Sequence, residues 1–399
     1  YSTEGSSQCI RAMLFLALQS APQNGKRPVL LAARNAHKAL LYAAALLDFD
    51  IRWLWPSAQA EGALCSCPVT AEALTGALHA LAQQGIEPFG VYVTSPDYLG
   101  GVQDIPAMAA VCRAQGVPLL VDNAHGAYLR FLPQNCHPIA QGAAMCCDSA
   151  HKTLPVVTGG AYLHLAHDAP VQDEAAVRGA LALFGSTSPS YLILQSLDAC
   201  NAVLAGDYPR RLAQCCAALE GLRRSLNKAA AARQCPLPLA VAGAQQEPMK
   251  LTLDAAALGC TGTALAESLR RAQMECEYAD PRYVVLMFTP ENPPQDYTRL
   301  QTALEQLLAA VPAGLPRPEN RAGEFAALQQ QAVQRCTIRQ AVLGAQVRIP
   351  VHKALGRVCA MPTVSCPPAI PVAVSGEEIT PAAIALMQRY GIEELSVLR

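Results

Sequence analysis

Short apolar runs alternate with longer amphipathic segments over the first two hundred residues. The continuous runs, typical of strands buried on both faces, are residues 28–33, 51–55, 90–94 and 118–121. Apolar residues at helical spacing occupy residues 7–20, 37–47, 70–84 and 105–115. Strands that alternate with helices in this way predict an α/β fold with a mainly parallel sheet covered by helices on both faces.

Beyond Ser190 the pattern changes. A long helical stretch covers residues 191–226, and strand candidates at residues 249–253 and 283–288 flank a helix at 262–273. This mixture predicts a smaller α+β domain. Pro-rich connectors at 311–318 precede a helix that runs through Arg335, and the tail after residue 348 contains a proline cluster at 366–371. We predict domains at 1–207, 208–320 and 321–399.

Composition favours a folded chain with a large interior. Of its 399 residues, 52% are hydrophobic and 15% are charged, which argues against disorder. The net charge of −1 and the lack of a basic stripe in the sequence make nucleic acid and anionic membranes poor partners. The longest apolar run, residues 39–47, is too short to span a membrane.

The sixteen cysteines contain no C-x-x-C pair of the kind that binds zinc, and no secretory signal opens the chain. We therefore predict reduced thiols in a cytoplasmic protein, many of them acting as small buried hydrophobes, and no metal site. The first residue is Tyr1 rather than methionine, so we expect a further N-terminal segment to precede it.

Candidate chemistry begins with Lys152 in the segment SAHKTLPVVTGG. Apolar and small neighbours would strip water from its amine, which favours the neutral, nucleophilic form. Gly5-Ser6-Ser7 precedes a predicted helix and offers hydroxyls and backbone N–H groups to a phosphate, although serine there is also an ordinary helix cap.

Two further polar side chains lie where strands are predicted to end. Asp122 closes an apolar strand, where a carboxylate is costly unless it meets a cation or a donor, or forms a simple turn. His37 lies at a strand-to-helix turn and can either stack on a planar ligand or serve the helix. Together with Ser149, His151 and Lys152, these residues predict a pyridoxal 5'-phosphate site, in which a lysine meets the aldehyde and an acid the ring nitrogen.

The segments VDNAHGAYLRFLP, SAHKTLPVVTGGAYLHL and STSPSYLILQSLD resemble the Orn/Lys/Arg decarboxylases. GSSQCIRAML, RNAHKALLYAA and TSPDYLGGVQDI are similar to earlier blocks of that family, and LGRVCA and PPAIPVAVSGEEIT to its C-terminal segment. The resemblance is closest to the shorter members, which lack an N-terminal wing domain. It implies pyridoxal-phosphate fold type I, as in aspartate aminotransferase, with a cofactor-binding large domain, a small domain and a family-specific C-terminal domain.

The resemblance also implies roles for individual residues. Lys152 would be the Schiff-base lysine, Asp122 would pair with the pyridine nitrogen, and His125 would act beside the cofactor or the substrate. The remaining contacts to the cofactor would come from His37 by stacking, from the phosphate ligands Ser6, Ser7, Ser149 and His151, and from Thr187. The loop of Ser186 and Thr187 would reach the site of a neighbouring subunit in a homodimer or larger homo-oligomer.

The implied reaction is decarboxylation of arginine, lysine or ornithine to an amine and CO2, in polyamine and amino-acid metabolism. Asn123 departs from the glutamate usual in the shorter members, and Ala150 from a common threonine. Glu377 is a candidate for the substrate's cationic side chain, or else a solvated turn residue. Two alternatives remain open: another fold-type-I enzyme, such as an aminotransferase or a carbon–sulfur lyase, and a catalytically weak homologue that binds the cofactor or a partner.

Overall fold

The computed structural model describes residues 1–21, 25–56, 63–243, 245–312, 314, 322–361 and 370–399. Its strands are β1 (Val29–Ala33), β2 (Asp50–Leu54), β3 (Val91–Thr94), β4 (Leu119–Asp122), β5 (Met145–Asp148), β6 (Tyr162–Leu165), β7 (Lys250–Asp254), β8 (Tyr278–Ala279), β9 (Tyr283–Met287), β10 (Gln346–Pro350) and β11 (Glu394–Leu398). Its helices are α1 (Ser6–Gln19), α2 (Lys38–Leu47), α3 (Ala71–Gln83), α4 (Ile105–Ala114), α5 (Ala150–Thr153), α6 (Glu174–Leu183), α7 (Tyr191–Ala205), α8 (Tyr208–Ala232), α9 (Gly262–Arg271), α10 (Pro294–Ala310), α11 (Ala322–Gln331), α12 (Ile338–Leu343) and α13 (Pro381–Arg389).

A six-stranded sheet forms the centre of the fold, in the order β2-β1-β3-β4-β5-β6. The first five strands are parallel, and β6 runs antiparallel to β5 at the edge. The predicted α/β fold with a mainly parallel sheet is thus confirmed. The four predicted strands and four predicted helices of the first 121 residues all form, with bounds shifted by one or two residues.

Both faces of this sheet are buried because helices cover both, and alternate residues of each strand point to opposite faces. One face packs against α1 and α2 and includes Leu30, Ala32, Tyr92, Leu120, Met145 and Cys147. The other packs against α3 and α4 and includes Leu31, Ala33, Val91, Val93, Leu119, Val121 and Cys146. The same alternation determines on which face of the sheet each polar side chain at a strand end lies.

The order of the strands also locates the site. The chain goes from β1 outward to β2 and then returns to the opposite side of β1 with β3, so the connections diverge between β1 and β3. Ligands of open α/β sheets bind at such a point, beyond the carboxyl ends of the strands. Asn35, Thr94, Asp122 and Ser149 lie at or just past the carboxyl ends of β1, β3, β4 and β5, and all are buried.

The rest of the chain forms a three-stranded sheet, β7-β9-β8, and a two-stranded sheet, β10-β11. The predicted helix over residues 191–226 is in fact two helices, because Pro209 cannot continue a helix and instead occupies the first turn of α8. The helix predicted through Arg335 ends at Gln331, and α10 was not predicted. The domain bounds stay a prediction; the boundary at 320 and 321, most of the connector at 311–318 and residues 366–369 of the proline cluster lie outside the described residues.

The fifteen cysteines that the structure describes are free thiols, and nine of them are buried. Burial raises the pKa of several, among them Cys9 to about 12, which keeps them as neutral, apolar-like groups. Across the described parts of the chain, the helices are all too short or too polar to cross a membrane.

A buried ion pair joins the C-terminal segment to the first strand. Arg34, which is 0% exposed, donates to both carboxylate oxygens of Glu377 at 2.7 and 2.8 Å. Its guanidinium lies over the rings of Trp53 and Trp55, at 5.0 and 4.5 Å from their centroids. Glu377 is therefore not the solvated turn residue expected from the sequence, and Arg34 compensates its charge, so this carboxylate is not left open to a substrate.

Replacing Glu377 by Gln should destabilise the protein by about 3–5 kcal/mol, because it leaves the Arg34 charge buried without a counterion. The two tryptophans of the chain both contact Arg34, so their fluorescence during urea unfolding directly reports the loss of this ion pair. The double change Arg34→Met with Glu377→Leu should recover most of the loss, since it removes both charges.

The neighbouring pair of Arg335 and Glu378 is the matched control, with side chains 55% and 28% exposed. Glu378→Gln should cost less than about 1 kcal/mol, as exposed pairs do. Equal losses in Glu377→Gln and Glu378→Gln would contradict the assignment.

Candidate active site

Two serine hydroxyls meet at the beginning of α1. Gly5 precedes the helix with a φ of 73°, a left-handed conformation that glycine adopts without strain. Ser149, at the N-terminal end of α5, donates its hydroxyl proton to Oγ of Ser6 at 2.8 Å, and Ser7 follows in the first turn of α1. Hydroxyls beside a helix N-terminus form an anion site, because the first backbone N–H groups lack partners within the helix.

Asp122 is a buried carboxylate with its own donors. The Tyr92 hydroxyl donates to Oδ2 of Asp122 at 3.0 Å, and the backbone N–H of Ala124 donates to Oδ1 at 3.2 Å. Burial, followed by the nearby Asp122, raises the pKa of Tyr92 well above its ordinary value, so the phenol keeps its proton. Tyr92 was missed in the sequence because it stands in an apolar strand; the signal available was its hydroxyl, on the same face as Asp122.

Lys152 and His125 are in contact at the same edge of the sheet. The Lys152 Nζ lies 3.1 Å from Nε2 of His125, which is 3% exposed. Burial lowers the pKa of His125 well below its ordinary value, and the charges of Lys250 and Lys152 lower it further. The ring is therefore neutral, and its Nε2 can accept a hydrogen bond from Lys152. Its Nδ1 is buried and has no hydrogen-bond partner within the described chain.

The other two histidines of the prediction are held by backbone groups. His37 caps α2, where its Nδ1 accepts from the backbone N–H of Ala39 at 3.2 Å. Burial lowers the pKa of His37, while the nearby Asp122 opposes that shift and Lys152 adds to it. His151 lies on α5 and its Nδ1 donates to the carbonyl of Gly160 at 3.0 Å. Capping by His37 is thus observed, and stacking on a ligand stays a prediction.

Thr187 is the predicted site residue that the structure does not bring to this cluster. It lies in the exposed loop between α6 and α7, where Ser186 and Ser188 bond to each other. Among the described residues, no hydrogen bond joins Thr187 to Lys152 or Asp122. Its expected role in the site of a neighbouring subunit is a proposal about the assembly.

A second buried layer behind His125 was also missed. Glu247 accepts from the Tyr128 hydroxyl and from the backbone N–H of Met249, and Lys250 donates to the carbonyl of Asp97 at 2.8 Å. Burial raises the pKa of Glu247 to about 7 against the opposing charge of Lys250. Burial also lowers the pKa of Lys250. The available signal was EPMK, in which a glutamate stands just before the predicted strand and a lysine lies within it.

These residues fit pyridoxal phosphate. The paired hydroxyls at the start of α1 suit a phosphate, the donor-held Asp122 carboxylate suits a protonated ring nitrogen, and the Lys152 amine suits an aldehyde. Nδ1 of His125 and the side-chain amide of Asn35 are among the buried polar atoms that lack partners in the described part of the chain, and both lie at this edge of the sheet. A bound ligand is one way in which such buried groups are satisfied.

The known proteins to which this chain is similar agree with a pyridoxal-phosphate site. The family model of the Orn/Lys/Arg decarboxylase major domain matches residues 1–246. An arginine decarboxylase of Bacillus subtilis is 26% identical over 387 residues, covering 95% of this chain and 75% of that protein. An arginine decarboxylase of Bacillus anthracis is 25% identical over 391 residues, covering 95% of this chain and 75% of its own length.

Solved structures show the same fold at lower identity. The constitutive lysine decarboxylase of E. coli superimposes with a TM-score of 0.72 at 18% identity, covering 100% of this chain and 70% of that one. The lysine decarboxylase LdcF of Francisella novicida gives a TM-score of 0.74 at 18% identity, over 100% and 69% of the two chains. At this identity the likeness shows the fold alone.

Replacing Glu247 by Gln should change how stability depends on pH. Folding raises the pKa of this carboxyl from 4.5 to about 7, so between those values unfolding releases a proton and stability falls as the pH rises. Glutamine does not titrate. Between about pH 5 and about pH 7, the free energy of unfolding of the variant should therefore fall by about 2 kcal/mol less than that of the wild type. Guanidinium unfolding at the two pH values, followed by circular dichroism, measures the difference.

Glu305→Gln, at an exposed position on α10, is the control and should keep the wild-type slope. If Glu247→Gln also keeps that slope, Glu247 does not titrate as described.

Proposed function

The chain belongs to the Orn/Lys/Arg decarboxylase family, and we propose that it uses the site around Lys152 to decarboxylate a basic amino acid with pyridoxal phosphate. The observation that carries this is the approach of the Lys152 amine to 3.1 Å from a buried, neutral His125, at the edge of the sheet where Asp122 and the serine pair also lie. The family is pyridoxal-phosphate-dependent and acts on small-molecule substrates that are amino acids.

Arginine is the substrate that we propose first. Support comes from the relatives named arginine decarboxylase, which this chain matches over about three quarters of their length. Lysine and ornithine are the competing substrates of the same class, since the lysine decarboxylase structures share the fold. A guanidinium differs from an ammonium in offering a planar set of donors, so the substrate pocket must differ accordingly.

The chemistry that pyridoxal phosphate supplies when bound is a sink for the electron pair left at the substrate Cα when CO2 departs. Ser6, Ser149 and the N-terminus of α1 would bind its phosphate. Asp122 would hold the proton of the ring nitrogen, and Tyr92 orients that carboxylate from the neighbouring strand. The acid and its donor are both fully buried, which keeps water away from the charge.

Lys152 and His125 would take part in the proton transfer that follows the loss of CO2. Lys152 would carry the covalent attachment to the cofactor, and its Nζ lies within hydrogen-bond distance of Nε2 of His125, at 3.1 Å. Lys152, held in place by this contact, would return a proton to the substrate Cα after CO2 has left. Burial keeps the His125 imidazole neutral, and the charge of Lys250 behind it adds to the effect because a second cation nearby is unfavourable.

We also propose a homodimer with shared sites in a cytoplasmic protein. The loop of Thr187 continues into α7, whose first residues Tyr191 and Leu192 are 83% and 74% exposed. Large apolar side chains exposed together favour an interface. The free thiols support a reducing compartment. The domain division at 207 and 320 remains part of this proposal.

Purified protein mixed with pyridoxal phosphate should show the visible absorbance band of the lysine-bound cofactor and release CO2 from arginine faster than from lysine or ornithine. Lys152→Ala should lose both the band and the activity, because no other amine takes its place. Lys228→Ala, at an exposed position on α8, is the matched control and should keep both. A band without CO2 release from any of the three amino acids would reject the proposed reaction and favour a transaminase or lyase.

Asp122→Asn should lower kcat by about 100-fold or more, the size expected when one preorganised charge partner is removed from a buried site. The cofactor band should persist, because Lys152 and the serine pair remain. Steady-state kinetics and the absorbance spectrum measure the two effects separately. Asp104→Asn, which changes the exposed cap of α4, should leave kcat unchanged. Normal turnover in Asp122→Asn would exclude Asp122 from the reaction.

A further inference from the structure

A second cluster of side chains lies on the opposite face of the sheet from Asp122. His137 and His164 both direct Nε2 to the same oxygen of Asp148, at 3.1 and 2.9 Å. The two imidazole rings are 5.0 Å apart between centroids and nearly perpendicular, at 80°. The Asp148 and His137 side chains are 2% and 7% exposed, whereas that of His164 is 37% exposed. Two of the three side chains are therefore buried, and solvent can reach the cluster from the side of His164.

The strands explain why these residues meet. Asp148 and Cys146 lie on one face of β5, two residues apart, while Cys147 faces the Asp122 side. In the antiparallel pair of β5 and β6, Cys146 stands opposite His164, which places that ring beside Asp148. His137 comes from the segment that follows the turn at residues 127–131. The three side chains thus come from three separate elements.

The separations are those of metal ligands. Ligand atoms bonded to one ion at about 2.0–2.2 Å lie about 3 Å apart in octahedral and about 3.4 Å apart in tetrahedral geometry. The observed 2.9 and 3.1 Å match the octahedral spacing and need only small shifts for the tetrahedral one. All three ligand atoms lie within 4.8 Å of one another. Two imidazoles and a carboxylate suit a divalent first-row transition metal.

The outer shell is also arranged for a metal. The second oxygen of Asp148, Oδ1, accepts from the Asn123 side-chain amide at 2.6 Å, which fixes the carboxylate with Oδ2 toward the histidines. Carboxylate ligands of metals are commonly held by such second hydrogen bonds. On the open side, the three residues line a cavity of about 600 Å³ together with Arg130, Tyr162 and Asn201. Water or an anion can reach an ion from there.

We propose that His137, Asp148 and His164 bind a divalent transition-metal ion, with Zn²⁺ as the first candidate and its remaining coordination positions facing the cavity. The ion joins the strands β5 and β6 to the segment of His137. Asn123 follows Asp122 directly and bonds Asp148, so the ion also stabilises the backbone next to the active-site acid. The sequence prediction of no metal site rested on C-x-x-C spacing, whereas these ligands are 11 and 16 residues apart along the chain.

The test uses the untagged full chain, stripped with a chelator and then titrated with Zn²⁺ by calorimetry, with bound metal counted by elemental mass spectrometry. We expect one strongly bound equivalent per chain. Asp148→Asn and His164→Ala should each weaken this binding by at least about 100-fold, because even changes in an outer shell cost about 10–100-fold. His164 is half-exposed, so its loss should leave the circular dichroism spectrum unchanged.

His79→Ala, at an exposed position on α3, is the control and should keep the strong site. Co²⁺ separates this cluster from the thiols: a ligand set of nitrogen and oxygen gives visible bands without the intense ultraviolet band of thiolate-bound cobalt. Strong Zn²⁺ binding that survives in both ligand variants, or an intense thiolate band when Co²⁺ occupies the strong site, would place the ion on cysteines and overturn the proposal. Absence of any strong site would overturn it as well. None of these readouts depends on pyridoxal phosphate or on decarboxylation.

Discussion

The carboxylate of Asp122 at the end of a fully buried central strand is the constraint on which the site depends. A charge in that position is stable only when donors or a cation surround it. The Tyr92 hydroxyl and the Ala124 backbone supply donors from the protein, and the ring nitrogen of a cofactor would supply the cation. The parallel sheet makes this possible, because it places the ends of four strands, each with a polar residue, at the same edge.

The same requirement recurs wherever this chain buries charge. Arg34 meets Glu377 between two tryptophan rings, and Lys250 lies among the Asp97 and Tyr98 carbonyls near Glu247. Asp148 is bonded on one oxygen by Asn123 and on the other by two histidines. Asn123 therefore connects the two faces of the sheet, one carrying the predicted cofactor site and the other the proposed metal ion. An amide at position 123 can donate to Asp148, which a carboxylate cannot, so the glutamate that the family resemblance implies at this position would lose this bond.

Much of the large domain could be read from the sequence, because buried parallel strands and the helices between them leave unambiguous apolar patterns. Asp122 and Ser149 could be proposed as site residues because each follows an apolar run at a strand end, and Lys152 because it is a charge among small and apolar residues just beyond one. Tyr92 could not, since a tyrosine in an apolar strand looks like any other core residue. His137, Asp148 and His164 escaped for a different reason. The register of β5 with β6 brings His164 to Asp148, the segment after residues 127–131 brings His137, and the sequence states neither the register nor the path of that segment. The break between α7 and α8 was missed although Pro209 signalled it.

The ion pair between Arg34 and Glu377 has a consequence for folding during synthesis. Its two partners are separated by 343 residues. At a translation rate of about 5–20 residues per second, Arg34 is synthesised about 20–70 s before its counterion exists. During that interval the guanidinium beside the two tryptophan rings has no Glu377 carboxylate to compensate it. The packing at the end of β1 is therefore completed only after the segment of Glu377 has been made.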